Sequence, residues 1–354
     1  MDHQFYSLRV AEVRQESPDS VSLVFENHPR FADYLSGQFL TIKASIQGES
    51  IRRAYSLCSS PVAGEPLAVT IKKVPEGKMS TWIFEQVKAG SVLEVMPPMG
   101  NFVFRPHSSK KRWFMLYAAG SGITPVYSML KTILMSEPQS YVSLMFGNRT
   151  RPDIIYKDSI QALCDKYPSR FKVVHCLSQP DDQWFGERGR IDEELIMHTL
   201  EYLKPVSPFE ETQVFMCGPV GMMDVASAVA SQQGVKKENI HRESFTSSID
   251  EAAKEAAVVE MEIRDRSIEI QLDGKSYQVI IPKGKTILDA ALDKDVDMPY
   301  SCQSGLCTAC RGRCLSGKVH MDEREGLSDE EIEEGYVLTC VGHPLTDGVV
   351  IEMG

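Results

Sequence analysis

The chain has 354 residues, 42% hydrophobic and 25% charged, which excludes long disorder and one small core and implies two or three folded domains. Its net charge of −11 argues against a nucleic-acid partner, since phosphate neutralisation needs clustered Lys and Arg. No apolar run spans a bilayer, the Met1–Tyr6 start does not read as a signal peptide, and nine scattered cysteines do not read as a disulfide framework. The expectation is a cytoplasmic protein with no membrane partner.

Residues 6 to about 105 read as short strands with turn signals: Val21/Leu23/Phe25 alternate, Phe39–Lys43 follows Ser36-Gly37, and Leu67–Lys72 and Val92–Val95 complete the pattern. This predicts an all-β unit, a small barrel, with one helix at Ser80–Val87 just after Gly77. A helix start there offers free N–H groups to a phosphate. Near residue 108 strands begin to alternate with helices. Strands are expected at Trp113–Ala118, Tyr141–Phe146, Phe171–Leu177, Thr212–Cys217 and Ile240–Phe245. Helices are expected at Pro125–Met135, Asp158–Tyr167, Asp192–Leu203 and Gly221–Gln233, a grammar that predicts a parallel sheet covered on both faces. Residues 246–257, small and charged, read as a linker. Beyond it come strands at Val258–Ile263, Ile268–Leu272 and Tyr277–Ile281, with a hairpin signal at Asp273-Gly274. A helix capped by Thr286, a cysteine loop and a final strand near Val349–Glu352 finish a mixed α+β unit.

That loop, Pro299-Tyr-Ser-Cys302-Gln-Ser-Gly-Leu-Cys307-Thr-Ala-Cys310, is answered by Cys340. The C-x4-C-x2-C spacing with a distant fourth thiol matches the ligands of a plant-type [2Fe–2S] cluster, and Gly305, Ser304, Thr308 and Ala309 suit a wrapped loop. A four-cysteine zinc site is the alternative, but it usually brings two C-x2-C knuckles and only one is present. Cys314 reads as an inert thiol outside the set. The carboxylates Asp322, Glu323, Glu325, Asp329, Glu330, Glu331, Glu333 and Glu334 read either as a solvated face or as a field that steers a basic partner.

Further motifs stand on the first two domains. Arg53 and Tyr55 alternate on a strand and so share a face, placing a cation and a flat ring together, with Ser56 beside them. Gly77-Lys78-Met79-Ser80 opens a helix. Gly120-Ser121-Gly122-Ile123-Thr124-Pro125 follows an apolar strand and opens another; its glycines admit a pyrophosphate, Thr124 can cap and Pro125 suits a first turn, although it departs from G-x-G-x-x-G. Cys217-Gly218-Pro219 ends a strand at the edge where parallel sheets bind ligands.

Taken in order, Arg53-x-Tyr55-Ser56, Gly77-x-x-Ser80, Gly120-x-Gly122-x-x-Pro125, Cys217-Gly218-Pro219 and the four-thiol set resemble the ferredoxin–NADP reductase-like flavoproteins fused to a C-terminal plant-type ferredoxin domain. The order is most similar to the reductase subunits of phenylacetyl-CoA epoxidase and related oxygenases. The resemblance spans essentially the whole chain. It implies a multidomain protein: an antiparallel β-barrel FAD domain over 1–107, an α/β parallel-sheet NAD(P)H domain over 108–245, and an α+β, β-grasp-like ferredoxin domain over 258–354. It also implies roles. Arg53 would bind flavin phosphate, Tyr55 would stack on the isoalloxazine and Ser56 would bond near N5, with Ala54, Ile71 and Lys72 in the same binding set. Gly77, Lys78, Met79 and Ser80 would hold the pyrophosphate. Gly120, Ser121, Gly122, Ile123, Thr124 and Pro125 would line the nucleotide site with Cys217, Gly218 and Pro219, and Cys217 would sit near the nicotinamide. Phe245 would cover the flavin's other face. Arg149 or Arg151, after the second sheet strand, would pair a 2′-phosphate, favouring NADPH over NADH. Cys302, Cys307, Cys310 and Cys340 would hold the cluster, and electrons would leave for a di-iron oxygenase. A desaturase or a separate ferredoxin is the alternative acceptor, and a non-enzymatic metal-bound sensor or scaffold the alternative class.

Overall fold

The computed structural model describes residues 4–205, 209, 211–245, 264–300, 302, 303, 305, 307–322, 326, 327 and 329–353. The 246–257 linker, the Val258–Ile263 strand, Ser304, Glu323 and Glu325 lie outside the described residues. The chain divides into two compact units, the larger comprising Gln4–Ile51 and Tyr55–Phe245 and the smaller built mainly from the C-terminal part.

The strands β1 (Tyr6–Ser17), β2 (Ser20–Phe25), β3 (Phe39–Ile46), β4 (Glu49–Ser56), β5 (Ala68–Lys72) and β6 (Val92–Val95) form a six-stranded sheet in the order β4-β3-β6-β1-β2-β5. Its two edges meet where Leu57 bridges Val69, so the sheet closes on itself. Alternation explains the closure. Leu8, Val10, Leu23, Leu40, Ile42, Val69 and Ile71 all point inward with at most 2% exposure, each worth about 1.5–3 kcal/mol when buried. Helix α1 (Lys78–Gln86) inserts Met79 and Ile83 into this core.

The nucleotide half follows as β7 (Arg112–Ala119), α2 (Ile123–Ser136), β8 (Tyr141–Asn148), α3 (Lys157–Lys166), β9 (Phe171–Leu177), β10 (Glu187–Arg188), α4 (Glu193–Leu203), β11 (Glu211–Cys217), α5 (Val220–Gln232) and β12 (Ile240–Glu243). Its sheet is parallel, in the order β10-β9-β8-β7-β11-β12. The near-continuous apolar run Phe114–Ala118 is what a strand covered on both faces requires. The strand order reverses between β7 and β11, and it is at the carboxyl edge of such a switch point that parallel sheets bind ligands.

The smaller unit pairs β13 (Arg266–Leu272), β14 (Lys275–Ile281), β15 (Arg311–Ser316), β17 (Tyr336–Leu338) and β19 (Val350–Met353) in the order β14-β13-β19-β15-β17. Only β13 and β19 run parallel; β16 (Val319–Met321) and β18 (Gly342–Pro344) pair separately. Asp273 and Gly274 both take positive φ, 51° and 73°, as a two-residue hairpin turn demands. Helix α6 (Ile287–Leu292) is capped as expected, Thr286 accepting from the Asp289 N–H at 3.1 Å. A short helix α7 (Asp329–Glu333) precedes β17. Among the described residues no helix is long and apolar enough to cross a membrane.

Candidate functional site

Register brings the nucleotide-side motifs to one line. Cys217 is level with Ala118 on β7 and with Glu243 on β12, while Ala119 is level with Gly147 and Asn148 with Leu177. Gly120–Pro125, Arg149–Arg151, Cys217–Pro219 and Phe245 therefore all leave the sheet at its carboxyl edge. Gly122 shows how closely they pack: a Cβ there would lie 2.2 Å from the Cys217 carbonyl oxygen, so only glycine lets the first loop close onto the end of β11. Gly120 and Ser121 remain half-exposed, whereas Ile123, Thr124 and Pro125 are buried in the opening of α2. The helix starts at Ile123 and Thr124 donates to the Ser121 carbonyl at 3.0 Å, so Thr124 steadies the turn rather than capping the helix.

Side chains along this edge divide between accessible and committed. Cys217 is fully buried, so what it presents beside the Gly122 turn is its carbonyl. Pro219 is exposed, and Phe245 is 41% exposed beyond β12. Arg149 is exposed and makes no ion pair among the described residues. Arg151 is different: it donates to the Gln183 carbonyl at 2.8 Å, lies 3.8 Å from Asp181 and sits over the Trp184 ring at 5.6 Å. Its job is to hold the Asp181–Trp184 loop, and sequence reasoning passed over that loop. Its signal was there, two aromatics in a turn-rich run between β9 and α4 at the same sheet edge.

On the flavin side β4 carries Arg53 exposed, Tyr55 half-buried and Ser56 buried. Arg53 donates to the Arg52 carbonyl at 2.7 Å and pairs with no carboxylate among the described residues, leaving a cation facing solvent. Ile71 is wholly in the barrel core and Lys72 pairs with Asp19 at 3.3 Å, so of these two only backbone is left for a cofactor. Gly77 is the N-cap of α1, and a Cβ there would meet Ser80 Oγ at 2.6 Å. Ser80 is committed to that turn: its hydroxyl accepts from the Val74 N–H at 3.2 Å and donates to the Gly77 carbonyl at 3.2 Å. What the start of α1 leaves open is its first backbone N–H groups, which no side chain caps, and Met79 is core.

In the smaller unit four thiols converge. Cys302 is in hydrogen-bond contact with both Cys307 and Cys340, and Cys340 with Cys310. Bonds from Cys302 together with burial push the Cys307 and Cys340 thiols up, while the bond from Cys340 pulls Cys310 down. Such a set of soft donors, buried at Cys302, Cys310 and Cys340 and half-buried at Cys307, fits an iron–sulfur cluster, whose binding replaces the thiol protons. The backbone closes tightly around it: the Gly326 N–H donates to the Gly305 carbonyl at 2.7 Å, and a Cβ on Gly326 would lie 3.0 Å from the Cys307 nitrogen. Cys314 stands apart, on β15, with its thiol on the Ser316 carbonyl at 3.3 Å. Of the acidic groups, Glu331 pairs with Arg311 and Asp322 with His343, whereas Glu330, Glu333 and Glu334 are exposed.

Comparison with known proteins follows this division. The oxidoreductase FAD-binding domain matches residues 7–104, the oxidoreductase NAD-binding domain 116–228 and the 2Fe-2S iron-sulfur cluster binding domain 270–345. The chain is 34% identical over 352 residues to one of the subunits of the 1,2-phenylacetyl-CoA epoxidase of Escherichia coli K12, covering 98% of this chain and 97% of the other. It belongs to the oxygenase-reductase family of ferredoxin–NADP reductase-like flavoproteins with a C-terminal [2Fe–2S] domain. The reductase is also 36% identical over 355 residues to the ferredoxin reductase component of 3-ketosteroid-9-alpha-monooxygenase from Rhodococcus rhodochrous, covering 98% and 96% of the two chains. Among solved structures, phthalate dioxygenase reductase superposes with a TM-score of 0.68 at 23% identity over 99% of this chain and 98% of that one, which shows the shared fold. The reductase is thus a pyridine-nucleotide-linked oxidoreductase with FAD-binding, NAD-binding and [2Fe–2S] domains, of the kind that serves oxygenases.

Proposed function

We propose that the reductase supplies electrons from NADPH to a di-iron oxygenase acting on phenylacetyl-CoA. The convergence of four thiols, three of them buried, in a chain that also carries FAD-binding and NAD-binding domains, supports the redox part of this reading. When bound, FAD takes two electrons as a hydride and releases them singly, which a one-electron cluster requires. Arg53 supplies the cation for flavin phosphate, Tyr55 the stacking face and Ser56 the hydroxyl, with the first N–H groups of α1 on the pyrophosphate. Gly120–Gly122 and Cys217–Pro219 would present backbone to the nucleotide, and Phe245, 41% exposed beyond β12, would supply an aromatic face to the flavin. Arg149, rather than Arg151, pairs the 2′-phosphate, because Arg151 is spent on the Asp181–Trp184 loop. The nine cysteines, none in a disulfide, suit a reducing compartment, and the cytoplasm is proposed on that basis.

The acceptor rests on likeness to the E. coli epoxidase component along 98% of this chain. The 36% likeness to the Rhodococcus component favours a second reading, an oxygenase acting on a ketosteroid. Anaerobic titration with NADPH and then NADH, followed by flavin absorbance and the EPR signal of the reduced cluster, tests the internal route. Reduction of both centres is expected; a flavin that stays oxidised with both nucleotides would overturn the reading. Turnover with each purified oxygenase then decides the acceptor.

A further inference from the structure

The flavin-side strand and the nucleotide loop are tied by hydrogen bonds that neither motif contains. Past Ser56 the chain enters Cys58, Ser59 and Ser60, none more than 5% exposed. Ser59 is fixed in the barrel: its hydroxyl accepts from the Ala68 N–H at 3.0 Å and from the Tyr34 hydroxyl at 2.8 Å. Helix α2, which opens directly on the Gly120–Gly122 turn, reaches this segment from the other domain. Ser128, fully buried, donates to the Ser59 carbonyl at 2.5 Å. One turn on, Thr132 donates to the Ser128 carbonyl at 2.8 Å and so accepts from the Ser60 hydroxyl at 2.8 Å. A helical serine ordinarily returns its proton to its own helix one turn back; Ser128 gives it to the other domain instead.

A second tie stands one strand away. Tyr156 precedes α3 in the left-handed region, φ 58° and ψ 24°, where bulky residues are rarely found. Its ring stacks on Tyr127 of α2, centroids 4.3 Å apart at 20°, and its hydroxyl donates to Thr70 Oγ1 on β5. Thr70 in turn donates to Cys58 Sγ at 3.4 Å and bonds Ser22 at 2.5 Å. Strand β5 packs against the Gly120–Gly122 turn itself. Apolar contact is non-directional and would tolerate the two domains sliding past each other. These buried hydroxyls are satisfied in one register only, and sliding would leave several unpaired at once.

We propose that Ser128, Thr132 and Tyr156 are positioning residues for hydride transfer, holding the nucleotide loop in one register with the chain that follows Tyr55 and Ser56. The proposal rests on the functional reading above, since it needs flavin and nucleotide bound by those motifs. None of the three touches the reacting atoms. They act by keeping the two half-sites at reaction distance, where a displacement of about 1 Å costs up to on the order of 100-fold in rate.

Stopped-flow reduction of the flavin-loaded protein by saturating nucleotide tests this in Ser128→Ala, Thr132→Val, Tyr156→Phe and the hydroxyl-preserving Ser128→Thr. The rate constant at saturation should fall at least about fivefold in Ser128→Ala and less in the other two losses, with recovery in Ser128→Thr. Nucleotide Kd by calorimetry should stay within about twofold, because the loops that bind it are intact. The flavin–nicotinamide charge-transfer band should weaken, and hydrogen exchange of the α2 amides in nucleotide-free protein should rise. An unchanged rate constant with only a lower Tm, or a loss confined to Kd, would overturn the proposal. Should Ser128→Ala not fold, Thr132→Val and Tyr156→Phe carry the same comparison. A wild type that neither nucleotide reduces would refute the functional reading instead.

Discussion

At the carboxyl edge of the nucleotide sheet the candidate groups are mostly backbone: the Gly120–Gly122 turn, the Cys217 carbonyl and the chain around Gly218, packed so closely that Gly122 admits no Cβ. In the smaller unit they are four side chains, three from the cysteine loop and Cys340, with Cys302 touching Cys307 and Cys340, and Cys340 touching Cys310. Side-chain chemistry is fragile to single substitutions and cannot be moved elsewhere. Backbone chemistry tolerates changes of side-chain character but not of side-chain volume. The two sites should therefore fail in different ways, and that difference can be measured.

The largest effect is expected at the thiols. Cys307→Ser removes a soft ligand that no neighbour can replace, since Cys314 is turned to the Ser316 carbonyl. Cluster absorbance and electron transfer to cytochrome c should be lost entirely, while nucleotide-driven reduction of ferricyanide stays within about twofold, because ferricyanide takes electrons from the flavin. Cytochrome c turnover in a cluster-free protein would contradict the route. At the sheet edge the matching test is Gly122→Ala. One methyl group would lie 2.2 Å from the Cys217 oxygen, so the loop must move, and flavin reduction should slow by on the order of 100-fold with the cluster spectrum unchanged. A variant with wild-type reduction rates would mean that the loop does not position the nucleotide.

The same contrast explains what could be read without coordinates. The C-x4-C-x2-C spacing announced the cluster, because a thiolate set has few substitutes, and the alternation of strands and helices announced the sheet. Gly120–Pro125 was legible as a loop but its partner was not. Nothing in the sequence says that Gly122 closes on Cys217, nearly a hundred residues away, since that contact depends on β7 and β11 being neighbours in register. The choice between Arg149 and Arg151 was hidden for a similar reason. Both are arginines after the same strand, and only the return of the Asp181–Trp184 loop commits one of them. Thr124 and Ser80 likewise have the composition of caps and phosphate ligands, yet spend their hydroxyls on the Ser121 and Gly77 carbonyls of their own turns.

That commitment gives a smaller, selective prediction. Arg149→Ala should weaken NADPH about tenfold or more and NADH less than about twofold, as expected for losing one charge-assisted contact to a 2′-phosphate. Arg151→Ala should weaken both nucleotides alike by loosening the 181–184 loop. Steady-state KM for each nucleotide in each variant makes the comparison, and a NADPH-selective loss in Arg151→Ala alone would reverse the assignment.

The smallest effect concerns how the cluster unit is held together. His343 on β18 has its Nδ1 3.0 Å from the Lys285 carbonyl and its Nε2 3.0 Å from an Asp322 carboxylate oxygen. Both a carbonyl and a carboxylate accept, so the doubly protonated ring is the form that satisfies both contacts, and the hydrogen bond to Asp322 raises its pKa above the usual histidine value. His320, level with it on β16, lies 3.6 Å from the other Asp322 oxygen, and Asp289 of α6 adds to the negative field. A histidine whose folded pKa is raised contributes stability that is complete below its unfolded value, near 6.5, and is lost as pH climbs through the folded value. The thermal midpoint of cluster loss, followed by visible absorbance, should therefore fall between acidic and alkaline pH in the wild type. His343→Gln carries both of its N–H donors on one nitrogen, which cannot stand in for Nδ1 and Nε2 together, so it should start lower and show a flatter profile. A wild-type midpoint that rises with pH would mean that the neutral ring is the folded form, and the clamp between β16, β18 and the start of α6 would then have to rest on packing alone.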